Sequence, residues 1–137
     1  MRTTPDNISD LKANEIFVFG SNTGGFHGKG AALHAKMCFG AEQHVGEGLT
    51  GRCYAFPTLQ SDAWDGNSWI GLHVNLKKRK HVELYESSSK FIVCAVSNPH
   101  LIFLLTKVGC GLAGYTENYM KTFFTDTPTN VIKPEGW

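Results

Sequence analysis

Apolar runs alternate with glycine-rich and polar segments along the first half of the chain. Residues 16–19 are four consecutive apolar residues bounded by Gly20, which predicts a buried strand. The alanine-rich stretch from about Gly30 has no β-branched residue for more than a turn and predicts a helix. A short strand is expected over residues 52–56, ending at Pro57. Strand, loop, helix and strand therefore follow one another.

The second half of the chain continues this alternation. A polar loop is expected over residues 59–68, and apolar residues near helical spacing predict a helix over about residues 84–97. Residues 101–108 are apolar on both faces, as expected of a central parallel strand that helices cover. We expect Thr116 to cap a further helix and residues 130–132 to form a short final strand. This order predicts a layered α/β fold.

Length and composition favour one domain over residues 1–137. Its 137 residues lie within the usual size range of single domains. Its 42% of hydrophobic residues and formal net charge of +1 are typical of a globular domain with a sizeable core. Its four cysteines show no C-x-x-C spacing, which favours reduced thiols; we expect no metal site and no cofactor. No signal peptide pattern and no apolar run near the ~20 residues of a spanning helix is found. A cytoplasmic protein without membrane contact is predicted.

Two glycine-rich segments follow predicted strands and indicate the chemistry. The segment "GGFHGKGAALHA" leads from the first strand into the first helix, and "GCGLAGY" follows residues 101–108. Free N–H groups and the macrodipole at a helix N-terminus favour an anion, most often a phosphate. Ligands of α/β sheets bind beyond the carboxyl ends of the strands, where both segments fall. A phosphate site is the first hypothesis; the alternative is that the glycines only make tight turns.

The two common phosphate motifs do not fit. A P-loop requires G-x-x-x-x-G-K-[ST], but Thr23 stands at its leading position and Gly30 follows the pair Gly28 and Lys29. The dinucleotide fingerprint G-x-G-x-x-G fails as well, because the glycines Gly25, Gly28 and Gly30 have the reverse spacing, G-x-x-G-x-G. No acidic residue ends a second strand about 20 residues later. A rarer phosphate site is therefore expected.

The order of these motifs resembles that of the macrodomain family, the ADP-ribose-binding modules. Macrodomains have a strand with an Asn-containing turn, a glycine-rich entry to a helix, and a later strand with a second glycine loop; here these are "IFVFGSN", "GGFHGKGAALHA", "LIFLLTKV" and "GCGLAGY". The sequence is nearest to the terminal ADP-ribose–glutamate hydrolase branch and to small macro-like proteins of bacteria and phages. The resemblance covers about residues 16–124. It implies a three-layer α/β/α fold with a mixed central sheet and helices on both faces.

The resemblance also implies that two glycine loops surround a diphosphate from both sides. Asn22 would hold the distal ribose, since its amide both donates and accepts hydrogen bonds. Tyr115 and Phe26 are candidates to cover a ribose or base, or alternatively pack within the loops. The expected loop residues are Gly28, Lys29, Gly30 and Ala31 on one side and Gly109, Cys110, Gly111, Leu112, Ala113 and Gly114 on the other.

The sequence does not decide whether the protein only binds its ligand or also converts it. His27 is the candidate general base, with Asn22 holding the ribose, or it makes one hydrogen bond within a turn. The hydrolase branch uses a lysine after its middle strand and an aspartate after "GCGL"; here "PTLQ" has no lysine and Ala113 takes the aspartate position. The predicted function is binding of ADP-ribose or a related NAD-derived nucleotide, as a reader or sequestering protein. The alternative is a phosphatase or hydrolase of an ADP-ribose derivative such as ADP-ribose 1″-phosphate.

A third hypothesis is a nucleic-acid or protein interaction module on the same fold. Its basis is the basic cluster "KKRKH" at residues 77–81. The near-neutral net charge and the lack of interleaved aromatic residues favour a solvated loop instead, so nucleic acid is not an expected partner. Trp64, in the polar loop, is assigned either to a lid over the pocket or to surface packing.

Overall fold

The computed structural model describes residues 2–61 and 76–137. Within them, strands and helices alternate along most of the chain, as the sequence predicts. The elements are β1 (Glu15–Asn22), α1 (Gly30–Phe39), β2 (Gly48–Thr50), β3 (Cys53–Ser61), β4 (Leu76–Lys78), α2 (His81–Ser97), β5 (Ile102–Leu105), α3 (Glu117–Met120) with a 3-10 turn (Lys121–Phe124), and β6 (Val131–Ile132).

These strands form one mixed sheet. Its strand order is β2-β3-β1-β5-β6, with β4 also paired to β3. Strand β1 runs parallel to β3 and β5, and β5 runs parallel to β6, whereas β2 and β4 run antiparallel to β3. The carboxyl ends of β1, β3 and β5 therefore meet at the same edge of the sheet. The predicted mixed α/β class is confirmed.

Helices cover both faces of the sheet. Successive side chains of a strand point to opposite faces, and in β1 Ile16 and Val18 pack with α2 whereas Phe17 and Phe19 pack with α1. The cluster on the α2 face also holds aromatic residues of several elements: Tyr54, Phe56, Phe91, Phe103, Phe123 and Phe124. The smaller cluster on the α1 face uses Ala32, Ala35 and Phe39 of that helix.

The prediction that Pro57 ends a strand is wrong. β3 continues through Pro57 to Ser61, and its last residues occupy the start of the segment predicted as a polar loop. Proline is tolerated because β2 pairs with β3 only as far as Ala55 and β4 pairs only from Leu59. The missing N–H of Pro57 thus points toward a gap in which no described strand pairs with it. The rest of the predicted loop, with Trp64, lies outside the described residues.

Other boundaries differ by a few residues, for local reasons. β5 ends at Leu105, because the chain turns directly after Thr106, where the Val108 amide donates to the Thr106 carbonyl at 2.8 Å. Most of the basic cluster is exposed, as predicted, but it is only partly a loop: its first two residues belong to β4 and its last begins α2. The Lys80 amide donates to Glu83 Oε1 at 2.8 Å at the start of that helix. The predicted cap of α3 is confirmed, since Thr116 Oγ1 accepts from the Tyr119 amide. None of the described helices is long and apolar enough to cross a bilayer.

Candidate functional site

Two loops meet at the carboxyl edge of the sheet. The first glycine loop, residues 23–29, joins β1 to α1, and the second glycine loop, residues 106–116, follows β5. A Cβ built on Gly30, which has φ of +59°, would lie 3.6 Å from Leu112 Cδ1. A Cβ built on Gly20 would lie 3.3 Å from the amide nitrogen of Gly109, so the strand end and the second loop are nearly in contact. Segments about 80 residues apart in sequence are therefore neighbours.

Both loops present backbone amides that no described acceptor uses. Helix α1 begins after Lys29, whose backbone is extended and whose side chain makes no cap, and its first turn carries no acidic residue. The first amide of the helix with an acceptor is that of Leu33, which donates to the Lys29 carbonyl at 3.2 Å. Among the described residues, the amides without an acceptor include those of Gly28, Lys29, Gly30, Ala31 and Ala32 in the first segment and Gly111, Leu112 and Ala113 in the second. This arrangement suits an anion.

Gly28 and Gly111 differ from the other glycines of this region. Neither has a positive φ, and no described atom lies within 4 Å of a Cβ built on either residue. Gly25, by contrast, has φ of +69°, and a Cβ there would clash with the His44 backbone, so the fold itself requires glycine at this position. Glycine at positions 28 and 111 leaves open space beside the main chain. Glycine is typical of places where the backbone approaches a ligand closely.

The remaining residues of the second glycine loop form its tip and base. Leu112 is 76% exposed although it is apolar, and it is the residue that reaches across to Gly30. Ala113 is nearly buried, and Gly114 has a positive φ that closes the turn. Burial raises the pKa of the Cys110 thiol, and the nearby Glu117 carboxylate raises it further, so this residue is a neutral thiol at pH 7.

Asn22 closes the first glycine loop. Its Nδ2 donates to the Phe26 carbonyl at 3.1 Å, and its Oδ1 accepts from the Phe26 amide at 3.0 Å. Both ends of the side-chain amide are used, and the residue is buried. The half-buried Phe26 ring packs edge-on against His44, at 5.4 Å between centroids. The contact of Asn22 with a ribose stays a prediction; in this arrangement the side chain shapes the loop.

His27 lies inside the protein. Its ring is fully buried, packs edge-on against Phe19, and has its Nε2 3.1 Å from the Val45 carbonyl. Since a carbonyl only accepts, Nε2 carries the hydrogen. Burial lowers the pKa of His27, against the opposing effect of the Val45 and Glu42 carbonyls, so the imidazole is neutral at pH 7. Nδ1 is buried without a hydrogen-bond partner among the described residues. A ring in this position is shielded from a ligand in solvent.

Tyr115 anchors the second glycine loop. Its hydroxyl donates to the Thr58 carbonyl at 3.1 Å and accepts from the Arg79 amide at 2.8 Å. The ring is stacked on Tyr119 with 5.8 Å between centroids, and the Lys78 ammonium lies 5.0 Å from its centroid. Burial raises the pKa of the hydroxyl. The sequence-based assignment to a ligand stays a prediction, because these contacts engage the hydroxyl and part of the ring.

Sequence reasoning did not connect the basic cluster with the second glycine loop. Lys78 Nζ donates to the Gly114 carbonyl at 3.2 Å, and Arg79 contacts Tyr115 through its backbone. These contacts depend on the pairing of β4 with β3, which brings residue 78 beside the carboxyl edge of the sheet. Glycines and basic residues more than 30 positions apart carry no local signal of this contact. The side chain of Lys78 places one positive charge beside the loop.

Within the described residues, no group of three or more histidine, cysteine or acidic side chains could hold a metal ion. No protein-family model, no curated protein and no solved structure matches the chain. The geometry of the two glycine loops is therefore the basis for proposing a function.

Proposed function

We propose that this chain binds ADP-ribose or a related NAD-derived nucleotide, with the diphosphate held between the two glycine loops of a three-layer, macrodomain-like fold. A mixed α/β sheet covered by helices on both faces supports the fold assignment. The position of both loops beyond the carboxyl ends of parallel strands supports a ligand site, because this is where α/β sheets bind their ligands.

The observation that carries the proposal is the open space beside Gly28 and Gly111. Neither backbone conformation nor packing within the described residues requires glycine at these positions. The neighbouring amides lack acceptors among the described residues, and those of the first loop lie at the uncapped N-terminus of α1. A diphosphate accepts hydrogen bonds from such amides, and the helix dipole supplies part of the counter-charge without a metal ion.

Binding without turnover is the form of this function that the geometry supports best. A general base must come within hydrogen-bond reach of the proton that it takes. The His27 ring is fully buried and hydrogen-bonded to Val45, and the Asn22 amide is engaged with Phe26. Ala113 offers no carboxylate at the position where the similar hydrolases have an aspartate. The protein then acts as a reader or a sequestering protein for the nucleotide.

The proposal is tested by thermal unfolding in the presence of ADP-ribose, ADP, AMP and ribose 5-phosphate. A ligand present at about 100 times its dissociation constant stabilises the native state by about 2.7 kcal/mol. We expect a stabilisation of this order with ADP-ribose, less with ADP, and little with the two monophosphates, since only the diphosphates span both loops. Chromatography of the ADP-ribose sample afterwards should return the nucleotide unchanged.

Two results would count against this function. Equal stabilisation by ADP-ribose and ribose 5-phosphate would mean that a single phosphate suffices and that the two loops do not act together. No stabilisation by any of the four compounds would mean that the glycine loops serve the fold alone.

A further inference from the structure

The outer face of helix α2 carries an exposed apolar stripe. Val82, Tyr85, Val93 and Val96 are 57%, 60%, 64% and 61% exposed, although the opposite face of the same helix is buried in the core. Ser89 lies in the middle of the stripe and is also exposed. We call these five residues the outer stripe. Large apolar side chains that share one exposed face are typical of an interaction surface.

The spacing of the outer stripe is that of a helix that packs against another helix. Its members follow one another at intervals of three, four, four and three residues. At 3.6 residues per turn they fall within a sector of about 80° of the helix surface. The pattern is symmetric about Ser89, because Tyr85 and Val93 lie four residues on either side of it and Val82 and Val96 lie seven. An antiparallel copy of the same helix would repeat the pattern in register.

We infer that α2 is a homodimer interface, in which the outer stripes of two copies of this chain pack antiparallel about a twofold axis at Ser89. Tyr85 then faces Val93 of the second copy, and Val82 faces its Val96. The small Ser89 at the axis allows the two helices to approach closely. A twofold interface uses the same surface on both subunits, and this stripe has that property.

The charged residues beside the outer stripe fit the same arrangement. Glu86 and Lys90 are both exposed and lie along one flank of the stripe. With a rise of 1.5 Å per residue, an antiparallel pair centred on Ser89 places Glu86 about 3 Å along the axis from Lys90 of the second copy. Two equivalent ion pairs form. Lys90 also lies 3.4 Å from Glu47 of its own chain, but its side chain is 67% exposed and retains donors for a second carboxylate.

The size of the surface sets the expected strength. The helix has 17 residues and is thus about 25 Å long, and a stable dimer usually buries about 800 Å² on each partner. One narrow stripe covers less than this area. We therefore expect a weak dimer that forms at micromolar to submillimolar concentrations, in equilibrium with the monomer.

Sedimentation velocity at about 10 to about 500 µM protein and low salt tests this interface. The wild-type sedimentation coefficient should rise with concentration, and Val93→Asp should weaken association at least tenfold. The matched control is Met37→Asp, which introduces the same charge at a side chain of α1 that is 73% exposed and should leave association unchanged. Val96→Lys provides a second variant if Val93→Asp melts at a lower temperature. A wild-type monomer throughout this range, or dimers of both stripe variants, would overturn the inference.

A charge-exchange experiment tests the antiparallel register. Glu86→Lys and Lys90→Glu each place like charges opposite one another, so each variant alone should associate several-fold more weakly than the wild type. In an equimolar mixture, the lysine that replaces Glu86 in one copy meets the glutamate that replaces Lys90 in the other, and the second ion pair keeps its native residues. Association of the mixture should therefore return to the wild-type level. A mixture no stronger than its two components would overturn the proposed register.

Discussion

The Tyr115 side chain holds the second glycine loop in place through the two hydrogen bonds of its hydroxyl. We expect Tyr115→Phe to lower the free energy of unfolding by about 1 to 3 kcal/mol, because the Arg79 amide and the Thr58 carbonyl lose a partner in a partly buried place. Urea unfolding measures the change. Tyr85→Phe, which removes a hydroxyl from a ring that is 60% exposed, should cost much less. Equal losses in the two variants would contradict the anchoring role.

The lowered pKa of His27 makes the stability of the fold depend on pH. Its pKa in the folded protein lies below the ordinary value of 6.5, so the folded form resists protonation that the unfolded chain accepts. The free energy of unfolding is therefore unaffected by His27 above about pH 6.5 and decreases as the pH falls below it. The slope is up to about 1.4 kcal/mol per pH unit. Urea unfolding of wild type and His27→Gln between about pH 7.5 and about pH 5 measures it. Parallel pH profiles for both proteins would contradict this effect.

The sequence predicted these residues only in part. Asn22, His27 and Tyr115 stand out because polar or aromatic side chains flank the glycines. The hydrogen-bond partners of His27 and Tyr115 are 18 and 57 residues away, at the Val45 and Thr58 carbonyls. The partner of Asn22, by contrast, is Phe26 in the loop that follows it. Residue type thus indicated where the loops are, but burial and partners depend on tertiary packing. A buried histidine and a catalytic one look alike in sequence.

At the scale of elements, the outer edge of β3 contains a gap that Arg79 fills. Its guanidinium donates to the Pro57 carbonyl at 2.9 Å and to Ser87 Oγ at 2.7 Å, between the stretches that β2 and β4 cover. The Ser87 hydroxyl in turn donates to Glu47. One side chain therefore takes the place of missing strand pairing and joins β3 to α2.

We expect Arg79→Met to lower the free energy of unfolding by about 1 to 3 kcal/mol, since it leaves the Pro57 carbonyl without a partner while retaining most of the apolar stem. Equilibrium unfolding in urea measures the loss. Lys36→Met, at an exposed position of α1, is the control and should change stability by no more than about 0.5 kcal/mol. A loss in Arg79→Met no larger than that of the control would mean that this edge needs no side-chain donor.

Element types followed from local pattern, but element lengths did not. Helix α1 was predicted from its alanine-rich composition, α2 from its apolar spacing, and the start of α3 from the capping chemistry of Thr116. The strand across Pro57 was not, because whether proline is tolerated depends on which strands pair beside it. β2 and β4 are three residues each and were missed, since their pairing with β3 and not their own composition makes them strands.

At the scale of the whole molecule, the sheet brings two distant glycine segments together. β1 lies between β3 and β5, so the loops that follow β1 and β5 leave the same edge of the sheet side by side. The alternation of apolar and polar segments predicted an α/β fold with both loops at that edge. The strand order and the antiparallel neighbours of β3 are non-local and could not be predicted from it.

The most direct test of nucleotide binding between the glycine loops is calorimetric titration of ADP-ribose into the wild type, Gly111→Glu and the charge-matched control Met37→Glu. We predict micromolar binding, about −8 kcal/mol, for the wild type and the control, and at least 100-fold weaker binding for Gly111→Glu. The unfolding temperature of Gly111→Glu should stay unchanged, because no described atom lies within 4 Å of the added side chain's Cβ. Absence of heat with the wild type, or wild-type affinity in Gly111→Glu, would contradict the account.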